Sequence, residues 1–169
     1  MGDEAERFTM LFRRHHRHVL AYVLRRADEA QAEDVVAETF TAAWRHIDRL
    51  PEDPLPWLYR TAHNCLSNNR RSARRRERLV DRLTGHHQVV PDHASSVVEE
   101  VRLRKALWRL SPGEREALML ISWEGLDHRT AAYVAGCSVS AFKVRLHRAR
   151  KRLAGLLAND HTPVGEAIR

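Results

Sequence analysis

The sequence predicts an all-α protein of two small helical domains joined by a flexible linker, the C-terminal one a helix-turn-helix. Three observations predict it. Apolar residues recur at spacings of three and four through both halves of the 169-residue chain, without the sustained alternation that strands require. From Glu77 to Ser96 that periodicity fades into a polar stretch containing Gly85, Pro91, Ser95 and Ser96. Further on, Asp127, Gly136 and Ser138 punctuate two short helical patterns at the spacing of helix, tight turn and helix.

The first domain, residues 1–76, is read from three stripes. Phe8, Leu11, Phe12, His15, Val19, Tyr22 and Val23 form the first, and Ala32, Val35, Val36, Thr39, Phe40, Ala43 and Ile47 the second. Pro51, Pro54 and Pro56 then interrupt the pattern. The third stripe, Leu58, Thr61, Ala62, Cys65 and Leu66, runs into an arginine-rich stretch. Three such faces can share one core, with Phe40 inside it, and Trp57 is assigned there too in preference to stacking on a base.

Residues 77–96 are the expected linker, 97–158 the second domain and 159–169 a tail. A helix ending near Leu110 opens the second domain. In Ser111-Pro112-Gly113-Glu114, Ser111 caps free amides, Pro112 suits the first helical position and Glu114 completes a capping box. That helix should end near Gly125. Asp127 caps a short helix through Ala131, Ala132 and Val134 to Gly136, and Ser138 caps the last. The last helix places Phe142, Leu146, Ala149, Leu153 and Leu157 on one face, with Lys143, Arg145, His147, Arg148, Arg150, Lys151 and Arg152 on the others. A basic second helix after a Gly-containing turn is the arrangement that enters a DNA major groove.

Charge supports contact with a polyanion at two places. The net charge is +7, but residues 60–82 hold eight arginines against Glu77 and Asp81, and residues 140–169 hold seven Lys plus Arg against Asp160 and Glu166. The remainder is net acidic. Clustered cations displace counterions from phosphates, whereas acidic surface suits a different partner. Other classes of function lack their signatures. No apolar run is long enough to span a bilayer, and the acidic start, Asp3, Glu4 and Glu6, has no signal-peptide core, so the chain is read as cytoplasmic and without membrane insertion. Two cysteines without a CxxC speak against a thiolate zinc site, and seven glycines include no phosphate-cradling pattern. Eleven histidines raise a metal hypothesis, but His15 and His16 face about 100 degrees apart on a helix, no cysteine or matched carboxylate completes a site with them and His18, and His86, His87 and His93 fall in the linker, so no metal or cofactor is expected.

With these residues in place the chain resembles a known family. Gly125-Leu126-Asp127, Ala132, Gly136-Cys137-Ser138-Val139-Ser140 and Lys143-Val144-Arg145-Leu146-His147-Arg148-Ala149-Arg150 are similar to the C-terminal DNA-binding domain of bacterial sigma factors of the extracytoplasmic-function (ECF) group. In the first half, Ala32-Glu33-Asp34-Val35-Val36-Ala37-Glu38-Thr39-Phe40 resembles that family's core-polymerase-binding helix. Trp57-Leu58-Tyr59-Arg60-Thr61-Ala62-His63-Asn64, followed by Arg70-Arg71, resembles its promoter-melting helix. Departures occur at Ala37, where the family usually has Gln, at Arg129, Thr130 and Ala131, and at Ala141 and Phe142 in place of Thr-Val. They bear on which promoter sequence is read, since Ala141 neither donates nor accepts.

The resemblance implies a non-enzymatic subunit that binds core RNA polymerase, directs it to promoters and promotes strand opening. Asp34, Glu38 and Trp44 would dock on polymerase. Arg60, Asn64 and Asn68, four residues apart on one helical face, with Arg70, Arg71, Arg74 and Arg75 beyond, would meet the melted segment through base edges and phosphates. Ser140, Lys143, Arg145, His147 and Arg148 would meet the duplex element. Members of the family are commonly held inactive by an anti-sigma factor. The rival readings are a repressor or activator with a helical sensing or dimerising domain, against which the basic run at 70–78 argues, and a magnesium-dependent nucleic-acid enzyme built on Glu29, Glu33, Asp34 or Glu38, which lack a nucleophile or basic partner nearby.

Overall fold

Helix α1, Gly2–Leu24, starts six residues before the apolar stripe that announces it. The acidic residues Asp3 and Glu4 favour that early start because they occupy the first turn, where the helix dipole is positive. The computed structural model describes the backbone of residues 2–81 and 98–159 and the side chains of 3–72 and 101–159. After α1 come α2 (Glu29–Arg45), a 3-10 turn (Ile47–Arg49), α3 (Leu55–Asp81), α4 (Val98–Trp108), α5 (Pro112–Ser122), α6 (His128–Ala135) and α7 (Val139–Asn159). No strand occurs among the described residues. Helix α3 continues to Asp81, so residues 77–81 of the expected linker are helical. The rest of that linker to Ser96, with His86, His87 and His93, and the tail from 160 onward lie outside the described residues.

Helices α1, α2 and α3 pack on one another as one unit, and α4 to α7 form another. In the first, Val19, Tyr22 and Val23 meet Ala32, Val35, Phe40 and Ala43 and the α3 residues Leu58, Ala62 and Leu66, all buried. Removing a side chain such as Leu58, which is fully buried, costs about 2–5 kcal/mol in cores of this kind. Tyr22 stacks on Tyr59 with ring centroids 4.8 Å apart, and the Arg26 guanidinium lies 3.6 Å above the Tyr22 ring. Arg26 donates to the Tyr22 carbonyl at 2.8 Å while Arg70 donates to the Arg26 carbonyl at 3.1 Å, so two arginines satisfy carbonyls at the end of α1. Asp28 caps α2 by accepting from the Gln31 amide at 2.8 Å.

The second unit is built on its caps. Ser111 and Glu114 form the capping box of α5, and Asp127 accepts from the Arg129 and Thr130 amides at 2.8 and 2.9 Å. Gly136 ends α6 in the left-handed conformation, φ 70°, which a residue with a Cβ adopts only at a cost. Ser138 then accepts from the Ala141 amide at 3.2 Å and starts α7. Ala132 is buried beneath the crossing, and Phe142, Leu146 and Ala149 fill the space between α7 and its neighbours. Leu153 and Leu157, further along the same stripe, are half-buried.

Candidate nucleic-acid and polymerase interfaces

On α3 the buried residues Leu58, Ala62, Cys65 and Leu66 turn the other side of the helix outward. Asn64 and Asn68 are exposed there and Arg60 is half-buried, so the four-residue spacing does bring amide and guanidinium groups to one outer face. Arg70 and Arg71 follow, both exposed. The side chains of Arg74 and Arg75 lie outside the described residues, although their backbone continues α3. Trp57 is half-buried rather than core. Its ring faces His46 with centroids 5.9 Å apart, so the two ends of the Pro-rich loop lie side by side.

Asp34, Glu38 and Trp44 are all exposed on α2, whereas Phe40 between them is buried. Trp44 keeps 43% of its surface exposed and meets Phe8 edge to face at 5.0 Å. Phe8, Phe12, His16 and Phe40 continue that aromatic row, with Phe12 against Phe40 at 4.8 Å. Apolar surface at Trp44 and Phe12 beside acidic groups is chemistry for docking a protein rather than a phosphate backbone. Glu38 differs from Asp34 in also lying at the seam between α2 and α3. Burial, and then the neighbouring Glu38 carboxylate, push the Cys65 thiol up to about 11.

On α7, Ser140, Lys143, His147 and Arg148 are exposed and Arg145 is half-buried. Arg145 is half-buried because it lies along the start of α5: its Cδ is 3.4 Å from where a Cβ on Gly113 would sit. The beginnings of α5 and α7 therefore border one surface depression, with Ser111, Ser138 and Ser140 on its polar side and Arg145 and Arg148 on its basic side. The Glu114 carboxylate also lines the depression but is engaged by Ser111 and Arg152, so two helix N-termini and two guanidinium groups remain to suit a phosphate. The spacing of Ser111 and Glu114 signals a helix cap, but nothing in the sequence signals that the start of α5 reaches α7. His15, a member of the first apolar stripe, is buried at 7% exposed. Among the described residues no group of His, Cys, Asp or Glu is placed to hold a metal ion, and no helix is long and apolar enough to cross a membrane.

Comparison with known proteins bears on both units. The Sigma-70 region 2 family matches residues 11–76 and the Sigma-70 region 4 family residues 100–153. The RNA polymerase sigma factor NccH of Alcaligenes xylosoxydans xylosoxydans is 33% identical over 94% of this chain and 90% of its own length. The ECF RNA polymerase sigma factor SigL of Mycobacterium tuberculosis is 31% identical over 89% of this chain and 88% of its own. The chain belongs to the ECF group of the sigma-70 family. Like other members, this sigma factor binds core RNA polymerase, directs it to promoters and promotes strand opening at initiation. Among solved structures, the sigma factor RpoE of Bartonella quintana, bound to the anti-sigma factor NepR, matches with a TM-score of 0.73 and 26% identity over 91% of this chain and 98% of that one. CnrH, in complex with the cytosolic domain of CnrY, matches with a TM-score of 0.63 and 31% identity over 90% and 88%. The region 2 match corresponds to α1 through most of α3, and the region 4 match to α4 through most of α7.

Proposed function

We propose that the two units divide the work of initiation. Residues 1–76 dock on core polymerase and hold the melted promoter segment, residues 97–158 read the upstream duplex element, and 77–96 lets polymerase set the spacing between them. In the first unit Asp34, Glu38 and Trp44 dock, while Arg60, Asn64, Asn68, Arg70, Arg71, Arg74 and Arg75 track the opened strand. Amides pair with the edges of unstacked bases and guanidinium groups with phosphates. In the second unit Ser140, Lys143, Arg145, His147 and Arg148 meet the duplex, positioned by the short Gly136 turn.

The observation that carries this reading is the depression in which the starts of α5 and α7 meet beside Arg145 and Arg148, because it suits a duplex phosphate while leaving the outer face of α7 for the groove. It differs in chemistry from the Asn-bearing face of α3, where amides rather than helix ends are offered. The sigma factor performs no chemistry of its own and acts in the cytoplasm. Because the similar sigma factor RpoE is found bound to the anti-sigma factor NepR, an anti-sigma partner that covers these faces completes the proposal.

Run-off transcription with core RNA polymerase on a promoter library tests it. Discrete transcripts that depend on this chain support the reading and reveal the sequence preference. Tight binding of the chain alone to a palindrome, with no stimulation of polymerase, would favour a repressor.

A further inference from the structure

Helix α7 carries a short apolar strip on an otherwise polar outer face. Val144 is 51% exposed, the largest share among the large apolar side chains described in the second unit. Ala141, one turn before it, is exposed as well. Both line the depression bordered by Ser138, Ser140, Arg145 and Arg148. Ser140, Val144 and Arg148 follow at intervals of four and so share one helical face, with Lys143 exposed beside them. A β-branched residue adds nothing to the stability of an exposed helix position, and the inward stripe of Phe142, Leu146 and Ala149 already supplies the packing of α7. Val144 also lies within the first two turns of α7, the part of the second helix in a helix-turn-helix that reaches base edges.

We propose that Val144 is a specificity-determining residue that reads the C5-methyl group of a thymine in the upstream duplex, with Ala141 extending the contact. That methyl is the one apolar group among the donors and acceptors that base pairs present in the major groove. The neighbouring cations Lys143, Arg145 and Arg148 suit the flanking phosphates and hold the base edge against the strip. Ala141, which neither donates nor accepts, keeps the strip apolar. A cytosine in the same place presses an amino donor against Val144 and leaves it unpaired, so the contact discriminates between the two pyrimidines. This role rests on the proposed meeting of the second unit with the upstream duplex.

Deoxyuridine differs from thymidine in its base by that methyl alone. On a promoter selected by run-off transcription, gel shifts with holoenzyme compare the unmodified duplex with duplexes in which each thymine of the upstream element, on either strand, is replaced in turn by uracil. One replacement should weaken binding about fourfold, the worth of one buried methyl group. Val144→Ser should bind that duplex and the unmodified one alike, and because Val144 is exposed the change leaves the core intact. Equal binding of every substituted duplex by the unaltered protein, a loss that persists in Val144→Ser, or a selected element with no thymine would each overturn the proposal. The first of these is also the result if a protein partner, not DNA, covers Val144. An Arg148→Ala variant that weakens the shift while uracil does not removes this inference alone. Lys143→Ala, Arg145→Ala and Arg148→Ala variants that all leave the shift unchanged remove the reading of the second unit beneath it.

Discussion

Glu114 accepts hydrogen bonds from both the backbone amide and the hydroxyl of Ser111, at 3.0 and 2.8 Å. The same carboxylate oxygen lies 3.4 Å from Arg152 on α7. Replacing Ser111 by Ala should therefore cost about 1 kcal/mol of stability in the second unit, the usual worth of a helix cap. Arg152→Ala should cost less, because that arginine is mostly exposed and surface ion pairs contribute about 0–1 kcal/mol. Hydrogen exchange at the α5 amides measures both in the intact chain, and equal effects would mean that the cap is not what fixes the start of α5.

The caps also give the second unit a pH dependence of defined sign. Hydrogen bonds from Ser111 hold the Glu114 carboxyl below its ordinary value, and hydrogen bonds from Thr130 do the same for Asp127. A carboxyl that is more acidic when folded stabilises the fold above its unfolded value and loses that contribution as pH falls through its folded one. Stability should be level near neutrality and decline as pH drops through the carboxylate range. Urea unfolding followed through Trp108 and Trp123 should show this decline, and Glu114→Gln should make it shallower.

Gly136 is the position in the helix-turn-helix least able to change. With φ at 70°, an added Cβ costs roughly 1–2 kcal/mol, so Gly136→Val should destabilise the second unit and weaken duplex binding by tilting α7. Gly136→Asn should be milder, since Asn tolerates that conformation. A melting-temperature comparison of the two variants decides it, and equal losses would point to lost space rather than backbone strain.

Much of this architecture is legible in the sequence. The stripes around Val19, Val35 and Leu58 run for about two to four turns and are set by apolar spacing alone, and Asp127, Gly136 and Ser138 act within their own turns. What the sequence does not carry are relationships across elements. Arg7 reaching Asp48, Arg145 lying along Gly113 and Glu38 neighbouring Cys65 each join residues more than 25 positions apart, and no periodicity encodes such a meeting. Trp57 shows the same limit: it adjoins the stripe at Leu58, yet it sits half-buried at the end of the Pro-rich loop with the His46 ring 5.9 Å away.

The Glu38 position separates docking from folding. Asp34→Lys should weaken capture of core polymerase by about tenfold, or about 1.4 kcal/mol, with the helical signal unchanged. Glu38→Lys should do likewise but also lower the Cys65 thiol from about 11, because it replaces an anion with a cation beside it. Alkylation of Cys65 should then speed up in Glu38→Lys and not in Asp34→Lys. Unchanged polymerase capture in both variants would mean that the acidic face is merely solvated.

The two units are proposed to meet DNA in different states, duplex and melted, and one paired experiment distinguishes the two. On a promoter selected by run-off transcription, a gel shift reports duplex engagement while permanganate reactivity of unpaired thymines reports strand opening, both with holoenzyme. Alanine at Lys143, Arg145 or Arg148 should weaken the shift, by about 1–3 kcal/mol where a base pair is read and less where only phosphate is touched. Asn64→Ala and Arg60→Ala should leave the shift intact and reduce thymine reactivity, since their proposed role is to meet bases that have left the stack. Normal opening by Asn64→Ala, together with loss of opening but intact binding by Arg145→Ala, would contradict the assignment of the two units.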